Sequence, residues 1–114
     1  MKCLDGVRLS NAEYAALSEI KRLLGSSIGI KRLVLFGSVT RGERDKESDI
    51  DLLVLTRVPM ERAERHQITD LICDVNLHFG TNFSTLVIDE NSWEHGMVSH
   101  LPIKKAIEED GMPL

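Results

Sequence analysis

Two apolar runs, residues 32–36 (RLVLF) and 50–55 (IDLLVL), are joined by a glycine turn at Gly37, room for a short helix from 38 to about 44, and a polar return over 43–48. Strands that run parallel need a crossover of a dozen or more residues, usually a full helix. The connection here is too short for that helix, so a mixed sheet is expected. The same segment places Asp49 and Asp51 at alternate positions where the second run begins. Side chains at i and i+2 of a strand share a face, so two carboxylates aim at one point, a site suited to a hard cation. The Gly37-Ser38 turn can present backbone N–H groups at a helix start, where phosphate binds well. Cation and phosphate together imply chemistry on a nucleotide.

The rest of the chain supplies layers for that sheet. Ser10-Asn11-Ala12-Glu13 has the form of a capping box, and Ala16, Leu17, Ile20, Leu23 and Leu24 follow at helical spacing. Gly25, Ser26, Ser27 and Gly29 end this first helix, and the nearly continuous run 32–36 reads as a strand buried on both faces. Pro59 is expected to open a long helix whose buried stripe is Ala63, Ile68, Leu71, Ile72, Val75 and Phe79, ending near Gly80. Residues 83–88 read as a third strand, and a helical pattern then runs through Trp93, Met97 and Leu101. A last helix carries Ile103, Ala106 and Ile107 on one face and stops at Gly111 and Pro113. The order predicts an α/β fold, one small mixed sheet covered by helices, with residues 1–114 forming a single domain.

Composition narrows the function classes. A formal net charge of −4 argues against direct nucleic-acid binding, which usually brings a basic excess. Lys31, Arg32, Arg41, Arg44 and Lys46 nevertheless cluster in sequence near the proposed site, either to hold a triphosphate or as a solvated surface. No apolar run approaches bilayer length and the first ten residues lack the apolar core of a secretion signal, so a cytoplasmic location without membrane contact is expected. Cys3 and Cys73 are far apart in sequence and read as reduced thiols. His66, His78, His95 and His100 form no metal-binding spacing, so zinc is not expected.

Taken together, Gly37-Ser38, Arg41-Gly42 and Ser48-Asp49-Ile50-Asp51, each set against a strand, form a specific combination. With these residues the sequence resembles the nucleotidyltransferase domains related to DNA polymerase beta and kanamycin nucleotidyltransferase. It is most similar to the minimal nucleotidyltransferases of bacteria and archaea, whose pattern is a hydrophobic strand, G-S-x-x-R-G, a polar stretch and S-D-I-D-L-x-V. Residues 33–54, LVLFGSVTRGERDKESDIDLLV, follow that pattern closely, and the ending LPIKKAIEEDGMPL resembles the P-L-x-x-x-I-x-x-E-G close of such domains.

The resemblance implies that Asp49 and Asp51 are catalytic and bind two Mg²⁺ ions bridging the triphosphate of ATP or another NTP. It implies nucleotide contacts from Gly37 and Ser38, and from Arg41 either a phosphate contact or an ion pair with a site carboxylate. Ser48 would orient Asp49. One feature departs from the pattern. Active members usually carry a third carboxylate on the next strand, and here its expected place holds Asn82 and Ser84. Asp89 lies at the far end of that strand and is expected to cap a helix, and Asp74 to be a surface charge.

A single domain leaves little surface for an acceptor pocket, so the acceptor is expected on another protein. The resemblance points to a helical partner of the HEPN class, this chain being the antitoxin that adenylylates it. Transfer to a small molecule such as an aminoglycoside, or a degenerate module that binds nucleotide or partner without turnover, are the alternatives. Trp93 and Met97 are read as core residues, with pairing in a homo-oligomer as the other expectation.

Overall fold

The computed structural model describes residues 9–27, 29–41 and 49–114. Helix α1 (Asn11–Gly25) starts at the expected capping box: the Ser10 hydroxyl accepts the Glu13 N–H at 3.1 Å, and the Glu13 carboxylate accepts the Ser10 N–H at 2.8 Å. Strand β1 (Ile30–Phe36), the four-residue helix α2 (Ser38–Arg41), strand β2 (Ile50–Thr56) and helix α3 (Arg62–Phe79) follow. Strand β3 (Phe83–Asp89), helix α4 (Glu90–His95), a 3₁₀ turn (Met97–His100), helix α5 (Pro102–Asp110) and a short strand β4 (Met112–Pro113) complete the described elements.

The sheet is four-stranded in the order β3-β2-β1-β4. Strand β1 is antiparallel to both neighbours, whereas β2 and β3 run parallel through the long α3 crossover. The sheet is therefore mixed, as the short β1–β2 connection requires. Alternating side chains divide its core in two. Leu33, Leu35, Ile50, Leu52 and Val54 pack with the α1 residues Ala16, Leu17, Ile20 and Leu24 and the α3 residues Ile68, Ile72 and Val75. Val34, Leu53, Leu55 and Ile88 pack on the other face with Trp93 of α4 and Ile107 of α5. Covering both faces explains why the strands read as continuous apolar runs.

Several local expectations are corrected. Helix α3 opens at Arg62 rather than at Pro59, because Glu61 is extended (φ −68°, ψ 161°) and its N–H is capped by the Glu64 carboxylate at 3.2 Å. Ahead of it, Thr56 donates to the Val58 carbonyl at 2.8 Å and Met60 packs on the core, so the residues around Pro59 form a connector. The helical pattern through Trp93, Met97 and Leu101 breaks at Gly96, where a Cβ would stand 2.8 Å from the Ser92 Cα. Trp93 is buried as expected, but Met97 lies on the 3₁₀ turn and is 82% exposed, so its core role does not hold. The segment after Gly111 does more than end a helix: Met112 pairs with Leu35, Pro113 with Val34, and Leu114 donates to the Leu33 carbonyl at 2.9 Å. Among the described residues, no helix is long and apolar enough to cross a membrane.

Candidate active site

Strand pairing gathers the site at one end of the sheet. Asp51 is the cross-strand partner of Phe36 on β1 and is in register with Ser84 on β3. It shares its face with Leu53 and Leu55, the face covered by α4 and α5. Asp49 stands two residues earlier, just before β2, and is exposed.

Gly37 follows β1 directly and bends the chain over Asp51. Its φ of +86° lies in the left-handed region, and a Cβ there would collide with the Asp51 carboxylate, whose Cγ would be only 3.3 Å away. Both constraints select glycine. The Thr40 N–H and hydroxyl donate to the Gly37 carbonyl at 3.1 and 2.9 Å, which closes the turn into α2. Ser38 opens that helix and Arg41 ends it, with Arg41 exposed. Ser48 lies outside the described residues, as do Cys3, Arg44 and Lys46.

Electrostatics reflect this crowding. Burial pushes the Asp51 carboxyl above the ordinary aspartate range, the negative charge of Asp49 pushes it further in the same direction, and the positive charge of Arg41 opposes both. A cation between the carboxylates would remove that repulsion. Among the described residues no three His, Cys, Asp or Glu side chains converge to hold a metal by themselves. Mg²⁺ commonly takes one or two carboxylates and completes its shell with water and substrate phosphates, so the Asp49–Asp51 donor set fits Mg²⁺ arriving with a triphosphate.

Strand β3 brings an amide and a hydroxyl where a third acid would complete the set. Ser84 lies beside Asp51 on the same face, and Asn82 donates from Nδ2 to Asp49 Oδ1 while its carbonyl accepts the Ile50 N–H at 2.9 Å. The β3 entry is itself fixed by Asn76 of α3. Its Oδ1 accepts the Phe83 N–H at 2.9 Å and the Thr81 hydroxyl at 3.0 Å, and its Nδ2 donates to the Phe83 carbonyl at 3.0 Å. Neither the Asn82–Asp49 bond nor the Asn76 bracket was foreseen from sequence. The polar 81–82 pair after Gly80 was the available signal, but the strand register was needed to read it.

Other residues fall away from the site. Lys31 and Arg32 stand near the opposite end of β1, about 16 and 13 Å from Phe36 at strand rise, and Lys31 pairs with Glu90. The basic cluster read from sequence is thus divided, because a strand carries residues apart that are near in number. Asp89 caps α4 as expected, accepting the Ser92 N–H at 2.9 Å and the Ser92 hydroxyl at 2.7 Å. Asp74 is exposed on α3, on the far side of the sheet.

Residues 16–109 match the family described as Nucleotidyltransferase domain. A Methanocaldococcus jannaschii protein named “Putative protein adenylyltransferase MJ1305” is 30% identical over 88 residues, which are 75% of this chain and 58% of that protein. A similarly named protein of the same organism is 34% identical over 80 residues, 68% of this chain and 75% of that one. The chain spans under two thirds of the length of MJ1305 and of a further such relative, 58% and 59%. Among solved structures, a toxin–antitoxin with AMP-PNP superposes with a TM-score of 0.58 at 15% identity, over 91% of this chain and 72% of that one. A mutant of the toxin–antitoxin MntA-HpeT gives 0.55 at 16% identity, over 94% and 72%. At these identities the structural likeness speaks for the fold alone.

Proposed function

Because the chain belongs to the nucleotidyltransferase domain family, we propose that it is a Mg²⁺-dependent enzyme that moves a nucleoside monophosphate, AMP from ATP, onto a hydroxyl of a partner protein. The observation that carries this reading is the convergence of the Gly37 turn with Asp51, beside Asp49, at one end of the sheet. Asp49 and Asp51 would hold Mg²⁺, with a second ion shared with the substrate. Bound there, the cation would neutralise phosphate charge and stabilise the departing pyrophosphate. The backbone at Gly37 admits close approach of the phosphates, Ser38 offers a hydroxyl and an N–H, and Arg41 supplies positive charge next to Asp51. Ser48 would orient Asp49. In the reaction the acceptor oxygen bonds to the α-phosphorus as the bond to the pyrophosphate oxygen breaks. The hydroxyl proton leaves to solvent or to a base on the acceptor, since Ser84 and Asn82 supply none.

The relatives named as protein adenylyltransferases support a protein acceptor, and the motif resemblance over residues 33–54 supports the role of antitoxin toward a helical HEPN-type partner. The whole chain would act as one domain in the cytoplasm, where ATP is supplied. The test is incubation with ATP labelled at the α-phosphorus, Mg²⁺ and the co-purifying partner. Label on the partner supports the reading, and label only on small acceptors such as aminoglycosides redirects it.

The Asn82–Asp49 bond and Ser84 favour a second reading, a module that binds Mg²⁺–nucleotide without turnover. Loss of a general base typically costs about 10²–10⁴ in rate. Calorimetric titration separates the two: Mg²⁺-dependent ATP binding that Asp51→Ala abolishes, without release of pyrophosphate from the wild type with any acceptor, selects the module.

A further inference from the structure

Beside the carboxylate pair, Phe36, Gly37, Arg41, Ile103, Ala106 and Ile107 enclose a cavity of about 160 Å³ between the end of β1, α2 and α5. Three of these residues, Phe36, Gly37 and Arg41, also adjoin the carboxylate pair. Phe36 is the cross-strand partner of Asp51, and paired residues of this kind carry their Cβ atoms about 4.5–5.5 Å apart on one face. Gly37 turns directly over the Asp51 carboxylate.

We propose that this cavity receives the nucleobase of the bound nucleoside triphosphate, an assignment that rests on the triphosphate reading above and extends it to the other end of the same molecule. Among the described residues that line it, Phe36, Ile103, Ala106 and Ile107 are apolar, and phosphate oxygens against them would lose their hydration without replacement. The base is the flat, weakly hydrated part of the ligand and suits such walls. Drug-sized ligands occupy pockets of about 300–1,000 Å³, so the smaller volume here matches one ring system and leaves sugar and phosphates outside, toward Asp49 and Asp51. Ile103 is 38% exposed and Ala106 is also exposed, so the cavity wall carries apolar surface that a base would cover. The Arg41 guanidinium borders the same cavity and can lie against the face of an aromatic ring.

The test compares Mg²⁺–ATP with Mg²⁺–tripolyphosphate, which has the phosphates but no base, by calorimetry on the full chain. The wild type is expected to bind ATP more tightly than tripolyphosphate. Ala106→Phe, which fills the cavity from its exposed rim, is expected to weaken ATP by about tenfold or more and to leave tripolyphosphate within about twofold. Ile103→Ala, which removes a wall and leaves the buried Ile107 in place, is expected to weaken ATP alone by several fold; circular dichroism verifies that both variants fold. If tripolyphosphate binds and ATP binds no more tightly, or if both variants leave ATP unchanged or weaken both ligands alike, the nucleobase assignment is overturned and the phosphate site stands. If neither ligand binds the wild type, both assignments fall together.

Discussion

Gly37 bears two constraints at once, a left-handed φ of +86° and an approach to Asp51 that excludes a Cβ. Gly37→Ala is therefore expected to lose about 1–3 kcal/mol of stability in urea denaturation, the range for strained backbone, and to lose Mg²⁺–ATP binding with it. Asp51 carries the charge side of the same contact. Its folded pKa is raised by burial and by Asp49, so the native state holds that proton more tightly than the unfolded chain. Stability from this group is present below the unfolded value of about 3.9 and falls as pH rises through the raised folded value. Asp51→Asn is expected to remove that decline, giving a variant with a higher melting temperature than the wild type at neutral pH without Mg²⁺. Equal melting curves from pH 3 to 8 would count against the repulsion. Ser84 offers the converse change: Ser84→Asp places a third carboxylate beside Asp51 on the same face. It is expected to raise transfer to a protein hydroxyl by about 10²-fold or more, read by label incorporation, while lowering stability without Mg²⁺.

At the scale of elements, the site depends on how β3 enters the sheet. The three Asn76 hydrogen bonds hold Thr81 and Phe83, on either side of the Asn82 that donates to Asp49. Half-buried bonds of this kind contribute about 0.5–1.5 kcal/mol each. Asn76→Ala is thus expected to cost about 1.5–4.5 kcal/mol by denaturant unfolding. Amide exchange should also quicken at residues 81–84 while β1 stays protected, and unchanged exchange there would rule out the bracket. The elements themselves were largely legible, since the capping box at Ser10, the apolar stripe of α1 and the Gly80 end of α3 are local signals. Misreadings fell at element ends. Met60 packs on the core ahead of the Glu61–Glu64 cap that starts α3, and the extended backbone at Gly96 (φ −86°, ψ −167°) ends α4 before Met97.

For the whole molecule, strand β4 secures the edge of the sheet next to β1. Met112 is fully buried opposite Leu35 and packs with the α1 and α3 core. Met112→Ala is expected to cost about 2–5 kcal/mol, the range for truncating a buried methionine, seen as a shifted urea midpoint with little change in slope. A mixed sheet, its two apolar faces, the glycine turn and the paired aspartates were all written in the sequence, because they follow from spacing along one stretch of backbone. Local spacing contains no strand register. Only the folded chain set Ser84 beside Asp51, Asn82 against Asp49 and α5 over Phe36, and moved Lys31 and Arg32 away from the carboxylates, since these relations join residues tens of positions apart through pairing and packing.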